Sequence, residues 1–212
     1  MIDLLKQATG ETVLMVGIST LAGVLLGLPL GILLFTTDKH GLFHNAWINM
    51  ISGFLVNAIR SIPYIILVVS IIPLTRLLTG TSIGTAAASV PLSIASIMLY
   101  CRMVEDALRQ LPVGLIEAAQ SMGATRLQII TKVLIPEALP QLISGLTLVI
   151  ISLIGFSAMA GAVGGGGLGD VGIRYGYQRY NLTVIGEVVV ILIVMVQIIQ
   201  IIGNFLVKKL RK

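Results

Sequence analysis

One segment of this sequence, residues 102–137, carries eight charged residues among its 36 and could therefore hold binding or acid–base chemistry. Within it, a Glu-Ala-Ala triplet at 117–119 is followed after three residues by Gly123, and after nine more by Val-Leu-Ile-Pro at 133–136. This spacing predicts a short helix, a break where Gly123 takes a positive φ, and a second helix that its proline ends.

The chemistry that this segment offers is binding. Apolar residues such as Leu108, Ile116 and Leu127 lie among the charges, so the segment is too polar for lipid and too apolar for a solvated linker. Thr125 and Gln128 have the spacing of a capping box at the start of the second helix. Two interpretations stay open on these grounds: a helix that docks on a protein partner, and an amphipathic helix that lies on the bilayer.

The rest of the sequence gives little support for catalysis or metal binding. None of the six lysines is followed by Ser or Thr, so a phosphate-binding P-loop is excluded. His40 and His44 share one short turn, neither precedes a Glu as a zinc-protease motif requires, and Cys101 is the single cysteine. We expect no catalytic residue and no metal. A glycine tract without lysine is expected to be a hinge or a close-packing segment: Gly164, Gly165, Gly166 and Gly167.

The composition indicates a membrane protein, because 56% of the residues are hydrophobic and only 11% are charged, against about 25% in soluble domains. Since roughly 20 apolar residues cross a bilayer, the apolar windows predict an all-α, polytopic fold with five transmembrane helices in a single domain, 1–212. Four of the predicted spans are 12–37, 77–101, 138–169 and 181–207. The other, second in the chain, is a span of about 25 residues that is centred near Arg60 and kinked at Pro63. Small residues at Gly23, Gly27 and Gly31 predict a packing face on the first helix.

The basic residues predict the orientation of these spans, because cytoplasmic flanks carry an excess of Lys and Arg. With the C-terminus and the 102–137 loop inside, nine basic residues are cytoplasmic: Lys39, Arg102, Arg109, Arg126, Lys132, Lys208, Lys209, Arg211 and Lys212. Four lie outside, with Arg60 left out as intramembrane: Lys6, Arg76, Arg174 and Arg179. The predicted topology has the N-terminus outside. A nucleic-acid footprint is excluded because the charges are dispersed between apolar runs.

The 117–136 pattern resembles the "EAA" loop of ABC importer permeases, which reads E-A-A, three residues, G, nine residues, I-x-L-P. Val133 and Ile135 are conservative replacements in that pattern. The resemblance covers essentially the whole chain, including 60–67, 73–92 and 157–180, and is closest to the methionine-uptake permeases. It implies an ABC importer type I permease fold whose cytoplasmic loop docks on the ATPase through a set of residues: Glu117, Ala118, Ala119, Gly123, Val133, Ile135 and Pro136.

The resemblance also implies the partners and the transported solute. They are a second copy of the chain, two ATP-binding subunits that use ATP and magnesium, an extracytoplasmic substrate-binding lipoprotein, and the lipid of a bacterial inner membrane. Met159 and Ser157 lie in a stretch similar to the helix that lines the pathway, which makes them candidates for a gate. The expected solute is D- or L-methionine. The alternatives are another amino acid or small solute, and a proton-coupled secondary transporter with Arg60 and Glu187 as a charge relay.

Overall fold

The computed structural model describes residues 1–39 and 41–210, and the regular elements within them are helical. His40, Arg211 and Lys212 lie outside the described residues. In chain order the helices are α1 (Ile2–Thr37), α2 (Ala46–Ser61), α3 (Tyr64–Ser70), α4 (Ile72–Thr79), α5 (Thr85–Arg109), α6 (Val113–Ser121), α7 (Arg126–Ala162), α8 (Gly167–Val171), continued by the π-helical turn Gly172–Tyr177, and α9 (Leu182–Leu210). Within the described residues, α1, α5, α7 and α9 are each long and apolar enough to cross a membrane.

The second predicted span is a broken helix pair. α2 and α3 are bent by 103° at a break that contains Ile62 and Pro63. Neither residue is helical: Ile62 is extended, because a proline disfavours helical backbone in the residue before it, and Pro63 has φ −54° and ψ 134°. The expected kink is therefore a sharp turn. Residues 1–39 and 41–210 thus contain four helices long and apolar enough to cross a membrane, or up to five spans if the bent pair is counted as one.

The centre of the bundle is α5, which packs against α1, α2, α3, α4 and α7. α1 approaches it closely at Gly23, Gly27 and Gly31, where a Cβ atom would meet Ser96, the Ile97 carbonyl and the Cys101 carbonyl respectively. The predicted packing role of these glycines is confirmed. α9 lies on the far side of α7.

The predicted bounds of the third span, 77–101, are wrong. α5 begins at Thr85, because Gly80 and Gly84 take positive φ values of 74° and 96° that end α4 and delay the next helix. At its other end α5 continues to Arg109, so the first eight residues of the 102–137 segment are helical. Their charges did not end the helix, because they pair with one another along its surface.

Pro136 does not end the second helix of the loop, contrary to expectation. The helix passes through a π-helical segment, Ile129–Leu134, and continues to Ala162. Pro136 lies in the first turn after that segment, where a missing N–H is tolerated. The irregular loop is thus shorter than 102–137: α6 with its flanks, between Arg109 and Arg126. The fourth span ends at Ala162, before the glycine tract.

We expect Gly27→Ala to destabilise the bundle by about 1–3 kcal/mol, because the added methyl lies 2.8 Å from the Ile97 carbonyl and 3.2 Å from the Cys101 nitrogen. Gly17→Ala is the matched control on the same helix, since a Cβ there meets nothing within 4 Å. Thermal unfolding in detergent measures both. Equal midpoints for the two variants would contradict the close approach of α1 and α5.

Candidate functional site

The loop between α5 and α7 has the local geometry that its sequence predicts at two points. Gly123 has φ +77°, and its N–H donates to the Gln120 carbonyl at 2.9 Å, which closes the end of α6. The capping box at the start of α7 is present: the Thr125 N–H donates to Gln128 Oε1 at 2.8 Å, and the Gln128 N–H donates to Thr125 Oγ1 at 3.4 Å. These two turns set the angle at which α6 meets α7.

The outer surface of this loop combines one carboxylate with exposed apolar side chains. Glu117 and Ala118 are exposed on α6, and Met122 is 82% exposed at its end. Val113 and Leu127 are also mostly exposed. A surface of this kind is suited to cover by another protein or by lipid headgroups, as the two interpretations of the loop require.

Three other residues of the predicted docking set support the loop from inside. Ala119 is buried against the core of the chain, while Val133 and Ile135 are half-buried on α7 and pack against the same core. Pro136 is exposed at the side of α7. α6 rests on the π-helical segment of α7. The motif therefore divides into an outer part and an inner part that supports it.

An ion cluster at the end of α5, beside this loop, is a feature that sequence reasoning missed. Glu105 is only 2% exposed, and its two oxygens pair with Arg102 Nη1 at 2.6 Å and with Arg109 Nη2 at 2.8 Å. Arg109 Nη2 also pairs with Asp38 Oδ2, at 2.9 Å, beyond the end of α1. The spacing of three and four residues within α5 was the available signal, since such pairs share a helix face.

The two candidate gate residues face different directions on α7. Ser157 is 2% exposed, and its hydroxyl donates to the Ile154 carbonyl at 2.7 Å, so it faces the core. Met159 is 48% exposed. It belongs to an exposed stripe with helical spacing in which two serines and a glycine alternate with larger apolar side chains: Ser144, Leu148, Ser152, Gly155 and Met159.

The glycine tract is closely packed and held by side chains of α1. Gly166 and Gly167 have positive φ, and the Gly167 N–H donates to Glu11 Oε2 at 2.8 Å. The next N–H, of Leu168, donates to Thr12 Oγ1 at 2.9 Å. These two hydrogen bonds are not predictable from a local sequence pattern, because each joins residues 156 positions apart. A carboxylate at the first N–H groups of α8 is also favoured by the helix dipole.

The part of the chain that the structure describes contains no side-chain cluster suited to metal binding and no ion pair between Arg60 and Glu187. No group of three or more His, Cys, Asp and Glu residues there could hold a metal ion. Arg60 is exposed at the end of α2, and neither it nor Glu187 takes part in an ion pair of the described residues.

Comparison with known sequences identifies the family. The family described as "Binding-protein-dependent transport system inner membrane component" matches residues 20–212. The chain belongs to this family. Its membership confirms the all-α, polytopic membrane fold and the importer-permease resemblance that the EAA pattern predicts.

Individual members of the family are similar over most of their length. The "Probable D-methionine transport system permease protein MetI" of Vibrio cholerae is 55% identical over 207 residues, which are 98% of this chain and 92% of that protein. The "Methionine import system permease protein MetP" of Bacillus subtilis is 47% identical over 174 residues, 82% of this chain and 78% of that protein.

Solved structures agree on the fold. One, described as an inward-facing conformation of the MetNI methionine ABC transporter, has a chain that matches 100% of this one over 98% of its own length, with a TM-score of 0.98 and 47% identity. Another, an amino acid ABC transporter with histidines, matches with a TM-score of 0.81 over 98% of this chain and 94% of its own, at 19% identity. The second likeness shows the fold alone.

We expect Thr12→Val to cost about 1–3 kcal/mol, because it leaves the buried Leu168 N–H without an acceptor. Thr12 is 1% exposed, so water cannot replace the hydroxyl. Thr12→Ser keeps the oxygen and serves as the control. The measurement is thermal unfolding of the purified chain in detergent. A valine variant as stable as the serine variant would show that the hydrogen bond from Leu168 to Thr12 does not stabilise the fold.

Proposed function

We propose that this chain is the membrane-spanning subunit of an ATP-driven importer that carries methionine, as the D- or the L-isomer, across a bacterial inner membrane. The observation that carries the proposal is the likeness over the full chain to the permease of a methionine ABC transporter, at 47% identity and a TM-score of 0.98. Relatives from several bacteria that are named for methionine transport support the same solute.

The proposed assembly has two copies of this chain, two ATP-binding subunits and an extracytoplasmic binding protein. ATP and magnesium belong to the ATP-binding subunits, so this chain carries no catalytic residue in the proposal. The exposed stripe on α7 supports a second copy, because serine side chains on a membrane helix are better placed against protein or water than against lipid.

Within that assembly, the outer surface of the loop is the coupling site. Glu117 and Ala118, exposed on α6, make the contact with the ATP-binding subunit, and Met122 adds apolar area beside them. Ala119, Val133 and Ile135 act indirectly by supporting α6 from the core. Gly123 and Pro136 shape the connection to α7.

The transport pathway runs along the exposed stripe of α7 in this proposal. Met159 is the gate residue, since methionine is unbranched and adapts its shape. Ser157 lies behind the gate on the buried side of α7, with its hydroxyl paired within the helix to the Ile154 carbonyl. The glycine tract 164–167 is the hinge on which α7 and α8 move when ATP binding turns the pathway outward and hydrolysis returns it inward.

For orientation, the helices separate the basic residues into two groups. The end of α1, the end of α5, α6 and the end of α9 share one side of the bundle, which holds seven basic residues of the described chain: Lys39, Arg102, Arg109, Arg126, Lys132, Lys208 and Lys209. The opposite side holds Lys6, Arg76, Arg174 and Arg179. The excess supports a cytoplasmic position for the loop and an outside position for the N-terminus.

This topology predicts the reactivity of two single cysteines placed in a Cys101→Ser background. A cysteine at Gln7 is expected to react with an impermeant thiol reagent in intact cells, and a cysteine at Gln120 only after the membrane is opened. Both positions are exposed, so accessibility within the chain does not limit the reaction. The reverse labelling pattern would overturn the orientation.

The function and its coupling site are tested together by uptake of labelled methionine into vesicles that hold this chain, its ATP-binding subunit and its binding protein. Uptake is expected to need ATP and to resist collapse of the pH gradient. Gly123→Val is expected to lower uptake at least about tenfold, because a β-branched residue resists φ near +77° and redirects α6.

Gly123→Asn is the matched control, since asparagine tolerates that conformation and a Cβ there meets nothing within 4 Å. Glu117→Lys tests the outer contact directly, by co-purification with the ATP-binding subunit. Wild-type uptake in both Gly123→Val and Glu117→Lys would remove the coupling role of this loop. Absence of ATP-dependent methionine uptake by the wild-type complex would overturn the assignment of methionine as the transported solute.

A further inference from the structure

The turn after α1 is joined to the end of α5 by a charged contact. Asp38 Oδ2 lies 2.9 Å from Arg109 Nη2, and the same nitrogen lies 2.8 Å from Glu105 Oε1. Because Glu105 is buried and also held by Arg102, the position of the Arg109 guanidinium is constrained from the α5 side. Asp38 therefore contacts a group that is already fixed.

A second cationic contact joins the same turn to the start of α7. The guanidinium carbon of Arg126 lies over the ring of Phe43, 5.0 Å from its centre. Arg126 is the first residue of α7 and follows the capping residue of that helix. The turn thus contacts the two residues that flank the loop: the last residue of α5 and the first residue of α7.

The turn itself is held firmly on α1 and α2. The Phe43 N–H donates to the Thr36 carbonyl at 2.8 Å, and the Asn45 N–H donates to the Thr37 carbonyl at 3.1 Å. Asn45 Oδ1 accepts from the Ile48 N–H at 3.2 Å and caps α2. Asn49 Nδ2 donates back to the Leu34 carbonyl at 2.7 Å. These bonds connect the turn to both helices.

We propose that this turn, residues 38–39 and 41–45, is a clamp that positions the base of the coupling helix α6 and carries its movement into α1 and α2. The inference rests on the proposed function, because it assigns a further part of the same coupling machinery. Without the clamp, a push on α6 is absorbed by rotation of the loop about its two ends. With both ends fastened to one turn, the push moves four helices together.

Two substitutions open the clamp while leaving the outer surface of the loop unchanged. Asp38→Asn removes the charge that Arg109 meets, and Phe43→Leu removes the ring beneath Arg126 but keeps an apolar side chain. The measurement is methionine transported per ATP hydrolysed by the reconstituted complex, together with co-purification of the ATP-binding subunit. A merely structural role would change yield or stability and leave that ratio unchanged.

Each single variant is expected to lower the ratio about threefold with the complex still assembled, since exposed ion pairs and cation–π contacts contribute modestly. The double variant is expected to lower it about tenfold if the two contacts act independently. Asp38→Glu keeps the charge and is expected to restore most of the ratio.

Matched controls exist on the same elements. Asp106→Asn removes a carboxylate one turn from Arg102, where the pair is long at 3.7 Å, and Phe54→Leu removes an exposed ring on α2. A wild-type ratio in the double variant, or an equal decrease in the two controls, would overturn the clamp. Either result leaves the importer assignment intact, because that assignment depends on uptake by the wild-type complex.

Discussion

Two helices in lipid can approach closely only where the side chains between them are small, and the contact of α1 with α5 depends on this condition. Lipid supplies no hydrophobic force that draws helices together, so packing at Gly23, Gly27 and Gly31 holds the pair. α1 then contacts two other parts of the chain. Its N-terminal half provides Glu11 and Thr12 to the glycine tract, and its C-terminal end leads to Asp38 beside the loop.

Burying the carboxylate of Glu105 has a desolvation cost, which explains why two arginines lie close to it. Removing an ion from water costs several kcal/mol, and only close partners with good geometry offset it. Arg102 and Arg109 supply them on the same helix face, at 2.6 and 2.8 Å. The end of α5 can therefore project toward the loop as a helix despite its four charges, which gives the loop a rigid base.

The parts of the structure that the sequence predicted are those set by short-range chemistry. Gly123 and the Thr125–Gln128 capping box follow from backbone preferences over a few residues, and the long spans follow from hydropathy. Errors occurred where distant or cooperative contacts decide. The prediction of a loop at residues 102–109 is wrong because the charges there pair with one another on a helix face, and the prediction that Pro136 ends a helix is wrong because the π-helical segment before it leaves no clear signature in the sequence.

In the candidate site, too, features set by short-range chemistry were predictable and contacts between distant residues were not. The outer surface of the loop was predictable as a motif, whereas the contacts of Glu11 and Asp38 were not, since each joins residues far apart in the chain. For Ser157 and Met159, two positions apart on α7, the sequence did not reveal which side chain faces inward. That distinction depends on the rotation of α7 against its neighbours.

The sharp break between α2 and α3 divides the outer face of the bundle into two kinds of surface. At Ile62 and Pro63 the helical hydrogen-bond ladder is interrupted: the Ile62 N–H donates to the Ile59 carbonyl at 3.2 Å and the Pro63 carbonyl accepts from the Ile66 N–H at 2.9 Å, which leaves a polar backbone group, the Ile62 carbonyl, without a backbone partner among the described residues. Hydrocarbon does not tolerate such groups, which are found at membrane depth only where protein covers them or water reaches them. Acyl chains must therefore be kept away from this side, so the ring of lipid around the chain is interrupted there.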